Sequence, residues 1–227
     1  MSIDLPDLPP RMKNLPKDER GYPTPWFVVW LDKAGEPVKP GTEGATPDFR
    51  VIAPGKLALA FKMHRCWICG ATIVGHAKVF VLGPMCVVNR TTSEPPSHRA
   101  CAEFAARACP FLVRPRQKRN PKNMPEDKLA PAGIHIDRNP GAVALYQTGT
   151  FTPFRAGDGV LFQLGRPIKV DWYAQGRLAT REEITESVDS GLPLLLAEAK
   201  KQGIEAIREL ARMHIEAEKL YPPARLA

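Results

Sequence analysis

The stretch Cys66-Trp67-Ile68-Cys69-Gly70, answered about thirty residues later by His98-Arg99-Ala100-Cys101, decides how this chain folds. Two thiols separated by two residues let the backbone turn so that both sulfurs face one point. Gly70 can take the positive φ that such a turn needs. His98 and Cys101 stand at i and i+3, on one face of a helical turn. Four thiolate and imidazole donors in two short-range pairs complete a tetrahedron, the geometry zinc prefers. The expected ligands are therefore Cys66, Cys69, His98 and Cys101. The expected metal is a structural Zn2+, because four protein ligands leave no position open for water.

The residues between the two pairs read as β followed by α. Ala71 to Leu82 alternates loosely, is rich in Val, Ile and Phe, and is broken by Gly75, which predicts a short hairpin. Pro95-Pro96-Ser97 precedes the second pair, with Ser97 placed to cap a helix from His98 to Cys109 that Pro110 stops. Knuckle, hairpin and helix in this order resemble the treble-clef zinc finger over roughly residues 64–109. That family usually supplies Cys-x-x-Cys as its second pair; His98 replaces the first member here and keeps the ligand count.

Two cysteines remain. In a continuous helix Cys109 lies about 12 Å beyond Cys101, too far to share one ion, and reads as a small buried side chain. Cys86, in Gly83-Pro84-Met85-Cys86, satisfies the same ligand count if it replaces His98. An odd number of thiols with knuckle spacing favours metal over a disulfide framework.

Treble-clef sites also frame the HNH endonucleases. That resemblance implies His76 as general base, Asn89 as the residue orienting it, and His98 as holder of a catalytic divalent ion. His98 cannot serve both this ion and the structural one, and the position just after the second ligand pair is Ala102. No catalytic residue is assigned. Phosphate-cradling glycine loops, Gly-x-Ser-x-Gly elbows and His-Glu-x-x-His helices are missing from the sequence. The expectation is a protein without enzymatic activity, with an HNH-type nuclease, active or degenerate, as the alternative.

The chain of 227 residues carries a formal charge of +8 and a pI near 9.4, which favours polyanionic partners, nucleic acid first. The basic run Arg114-Pro115-Arg116-Gln117-Lys118-Arg119-Asn120-Pro121-Lys122 is the expected phosphate-binding strap, through Arg114, Arg116, Lys118, Arg119 and Lys122. No apolar run is long enough to cross a bilayer. The opening residues lack a basic segment followed by an apolar one, so a cytoplasmic location is expected.

The expected fold class is α+β: a small sheet with the zinc module, then a strand segment and C-terminal helices. The expected organisation is a proline-rich arm at 1–25, a sheet with the zinc module at 26–112, a basic linker at 113–131 and an α+β domain at 132–227. Strands are predicted at 26–31, 49–52, 56–63, 142–146, 159–164 and 168–173. Thr180 and Glu183 form a capping box for a helix ended by Gly191, after which Pro193 opens the next. A long helical pattern over 194–220 is interrupted at Gly203. Its face is the docking surface of the alternative reading, a protein-interaction module, and His214 within it and the pair His135 and Asp137 read as structural. The segments 83–112 and 170–174 are similar to uncharacterised proteins of bacteriophages and prophages. That resemblance implies an accessory protein acting in a bacterial host cell.

Overall fold

The computed structural model describes residues 5–114, 117–118, 139, 141–157 and 159–224. The first strands are β1 (Val28–Leu31), β2 (Pro37–Val38) and β3 (Thr46–Ile52), in an antiparallel sheet of order β2-β1-β3. Asp32 turns the first hairpin: its Oδ1 accepts the N–H groups of Ala34 and Glu36. Helix α1 (Lys56–Lys62) follows, then β4 (Lys78–Leu82), α2 (Pro84–Asn89), β5 (Thr91–Thr92), α3 (Arg99–Ala108) and α4 (Pro110–Val113). Beyond residue 139 come β6 (Ala142–Thr148), β7 (Phe151–Ala156), β8 (Gly159–Leu164), β9 (Pro167–Ala174), β10 (Arg177–Leu178), α5 (Arg181–Gln202) and α6 (Ile204–Glu218).

The central sheet has the order β10-β9-β6-β4, antiparallel throughout. It is covered on both faces. Phe80, Ala144, Tyr146 and Trp172 pack against Val87 and Val88 of α2, Ile184 and Val188 of α5 and Ala217 of α6. Val79, Val143, Leu145 and Tyr173 point the other way, onto Ala102 and Ala106 of α3. Strand residues alternate between faces, so a strand buried on both sides reads as an unbroken apolar run, as Ala142 to Tyr146 does. A third sheet, β5-β8-β7, continues the same core through Phe151, Phe162 and Leu164.

Several expectations are corrected. The stretch 56–63 is helix α1 rather than a strand. Its Lys-Leu-Ala-Leu-Ala-Phe-Lys pattern alternates, but Leu, Ala and Lys are strong helix formers and only Ala60 is fully buried. Residues 71–82 form no hairpin. Only Lys78–Leu82 is a strand, and its partner is β6, from Lys78 opposite Thr148 to Leu82 opposite Ala144. Helix α5 begins on the Thr180–Glu183 capping box and then runs through Gly191 and Pro193 to Gln202. Met85 packs against Gly191, where a Cβ would lie 2.8 Å from its Cγ. Gly203, at φ +105, separates α5 from α6.

Candidate metal centre

The knuckle is closed by its own backbone. The Gly70 N–H donates to the Cys66 carbonyl at 2.8 Å, and the Cys66 N–H to the Ala71 carbonyl at 2.8 Å. Gly70 sits at φ +74 with the Trp26 ring against it, and a Cβ there would lie 2.5 Å from ring atoms. Arg65 donates from Nη1 to the Gly70 carbonyl at 2.9 Å. The second pair is tied to the sheet by the Ser97 N–H, which donates to the Val79 carbonyl at 2.7 Å. His98, not Ser97, is the N-cap of α3, so Cys101 lies on that helix's first turn.

These constraints gather Cys66, Cys69, His98 and Cys101. One ligand atom from each lies within 4.8 Å of the others. Zinc–sulfur bonds of about 2.3 Å place tetrahedral sulfurs about 3.8 Å apart, so the cluster closes on an ion with small side-chain movements. Cys69 Sγ and His98 Nδ1 are 3.3 Å apart. His98 Nε2 is 3.2 Å from the Thr72 carbonyl. A carbonyl only accepts, so Nε2 carries the proton and the Nδ1 lone pair is left facing the sulfurs. The donor set therefore fits a metal ion, with Nδ1 as the imidazole ligand.

The surroundings favour thiolate at Cys66. Cys66 Sγ accepts the N–H groups of Cys69 at 3.4 Å and His98 at 3.3 Å. Hydrogen bonds from the Cys101 and Cys69 thiols, then these two amides, hold the Cys66 thiol far below its ordinary range despite burial. Cys101 is pushed up, chiefly because its thiol donates to Cys66 and Cys69. A divalent ion held by these residues would remove this conflict by taking the place of the shared protons. Cys66 and Cys101 are fully buried, while Cys69 and His98 are half-buried.

The chain before β1 contributes the cover. A 3-10 turn at Pro10–Met12 places Met12 in one cluster with Cys66, Ile68, Ile73, Cys101 and Phe104, and Leu5, Leu8 and Leu15 pack around it. The sequence reading missed this role and the Thr72 carbonyl. The spacing of Leu5, Leu8, Met12 and Leu15 was the available signal for the arm; a backbone carbonyl leaves none.

The other sequence candidates lie elsewhere. Cys86 is in α2 against the main core, and its thiol is pushed up to about 12 by burial, then by the Glu94 charge. Cys109 is the half-buried C-cap of α3. His76 is exposed, and Asn89 Oδ1 accepts the Thr91 N–H at 2.9 Å, so it caps a turn. His214 Nε2 is 3.8 Å from Glu218 Oε1. Arg114 and Lys118 are exposed; Arg116, Arg119, Lys122, His135 and Asp137 lie outside the described residues. Among the described residues the Cys/His group is the only cluster of three or more such donors, and no helix is long and apolar enough to cross a membrane. Comparisons with protein-family models, curated proteins and solved structures find no match, so the geometry of this centre is what a functional reading rests on.

Proposed function

We propose that this chain is a non-enzymatic nucleic-acid-binding protein whose N-terminal half is held together by a structural Zn2+. The carrying observation is the closed donor set. Three sulfurs and one imidazole nitrogen match zinc, and they leave no coordination position for a substrate or a water nucleophile. The net charge of +8 supplies the attraction to a polyanion. The resemblance of the segments 83–112 and 170–174 to phage and prophage proteins supports reading it as a phage accessory factor acting in the cytoplasm of a bacterial host. His98 facing the sulfurs and Asn89 bonded to Thr91 disfavour the HNH reading.

Binding to labelled duplex and single-stranded DNA across a salt series tests the proposal. Affinity that weakens linearly in log salt supports it; no binding at low salt removes it. A second reading, docking to a host protein, is favoured by Leu194, Ile204 and Ile215, which are exposed on α5 and α6.

A further inference from the structure

Residues 49–93 contain no Asp or Glu. The same run holds the knuckle and carries Arg50, Lys56, Lys62, Arg65, Lys78 and Arg90. The C-terminal helices are arranged in the opposite way. There Lys201 pairs with Glu198, Arg208 with Glu205, Arg212 with Glu209 and Lys219 with Glu216, each within one turn. A cation matched so closely presents little net field to a polyanion. Lys56, Lys62 and Arg65 take part in none of the ion pairs among the described residues. Three thiolates on a divalent ion leave one negative charge at the centre, too little to cancel this excess.

The geometry around α1 sharpens the point. Lys56 Nζ lies 4.1 Å from the centroid of the Trp26 ring. Partial burial and the nearby Arg65 charge both press its ammonium toward the neutral form. An anion held between the two cations relieves that repulsion. Lys56, Leu59, Lys62 and Met63 fall on one side of α1 by their i, i+3 and i+4 spacings. On that side Leu59 and Met63 are 42% and 50% exposed, while the Phe61 ring turns toward Phe162. Cations outside any ion pair, interleaved with exposed apolar side chains, match a ligand that alternates phosphate with an uncovered base face. A duplex hides its base faces and leaves the apolar side chains unused.

We propose that α1 and the adjoining knuckle bind single-stranded nucleic acid, with Lys56, Lys62 and Arg65 on its phosphates and Leu59 and Met63 against its bases. This rests on the nucleic-acid reading above and assigns it a surface and a strand type. The probe is a labelled oligothymidylate, titrated with the zinc-loaded full chain over a salt series. Arg65 is left intact because it also holds the Gly70 carbonyl. Lys56→Gln/Lys62→Gln lowers the log–log salt slope by about 1.4, at about 0.7 per lost phosphate contact. Leu59→Ser/Met63→Ser weakens binding several-fold with the slope unchanged. Lys201→Gln/Arg208→Gln changes neither. Metal content and thermal midpoint, measured on each variant, confirm intact folding. The inference is overturned if the wild type binds and Lys56→Gln/Lys62→Gln leaves slope and affinity intact. Equal or tighter binding to a duplex of the same length overturns it too, as does adsorption to phosphatidylserine vesicles without oligonucleotide binding. A wild type that binds neither strand nor duplex removes the nucleic-acid reading itself, and this surface with it.

Discussion

At the residue scale, the four candidate ligands differ in how they are held, and substitution separates them from the other thiols. Cys66→Ser and Cys101→Ser each remove a fully buried sulfur from the cluster. Each is expected to abolish stoichiometric metal, read by elemental analysis of purified protein. Cys86→Ala is expected to keep it, because Cys86 packs on a different core. Cys86 has its own signature in alkali. Its folded-state value of about 12 lies above the ordinary 9.0. The unfolded chain therefore loses this proton first. The associated stability is present below about pH 9 and drains away as pH rises toward 12. Denaturant unfolding between these limits should show a shallower alkaline loss in Cys86→Ala; an unchanged profile counts against the burial argument. Gly70→Ala combines a left-handed φ with a collision on Trp26, and is expected to cost about 2 kcal/mol or more. The gathering of Cys66, Cys69, His98 and Cys101 was legible at this scale because the spacing within each pair is a local property. The His98 tautomer was not, since it is set by a carbonyl supplied from Thr72.

At the element scale, local signals succeeded where capping chemistry or β-branched runs dominated. The α5 start is fixed by Thr180 Oγ1 accepting the Glu183 N–H at 3.3 Å and Glu183 Oε2 accepting the Thr180 N–H at 2.9 Å. Thr180→Ala is expected to cost about 1 kcal/mol in urea unfolding. Arg177 also pairs with Glu183, and this hydrogen bond, helped by the Thr180 amide, holds the carboxyl below its ordinary range against the opposing effect of burial. Stability from that carboxylate is present above its ordinary range and is lost as pH falls through its lowered one. Glu183→Gln should therefore flatten the acid limb of the stability profile, and an unaltered limb contradicts the assignment. Other elements were ambiguous for physical reasons. The α1 segment alternates at period 2 while its composition is helical. Gly191 and Pro193 look like stop and start signals, yet Val188 and Leu195 pack on the core on either side and carry the helix through. The β4 partner lies some sixty residues downstream, and no local pattern in β4 points to β6.

At the scale of the whole molecule, the metal centre and the central sheet are joined. The Ser97 amide bonds β4 just before the second ligand pair, α3 covers one face of the sheet, and β4 is paired along its length with β6. The N-terminal arm closes the other side of the centre through Met12. Removal of an ion held there would leave the Cys66 thiolate and its neighbours without a counter-charge inside this packing. Chelation is therefore expected to raise hydrogen exchange first in residues 5–24 and the knuckle and then in β4. Protection that stays unchanged there after metal removal shows that the arm packs independently of the ion. The α+β character was legible from strands preceding helices, whereas the sharing of one sheet across the basic segment was not.

The central claim is one closed metal ion between the two ligand pairs. X-ray absorption on purified protein, with metal content measured on the same sample, tests it most directly. The expected result is one zinc per chain with three sulfurs and one nitrogen, a set that Cys86→Ala leaves intact. Protein without stoichiometric metal, or a metal shell that lacks the Cys66, Cys69 and Cys101 sulfurs, contradicts it.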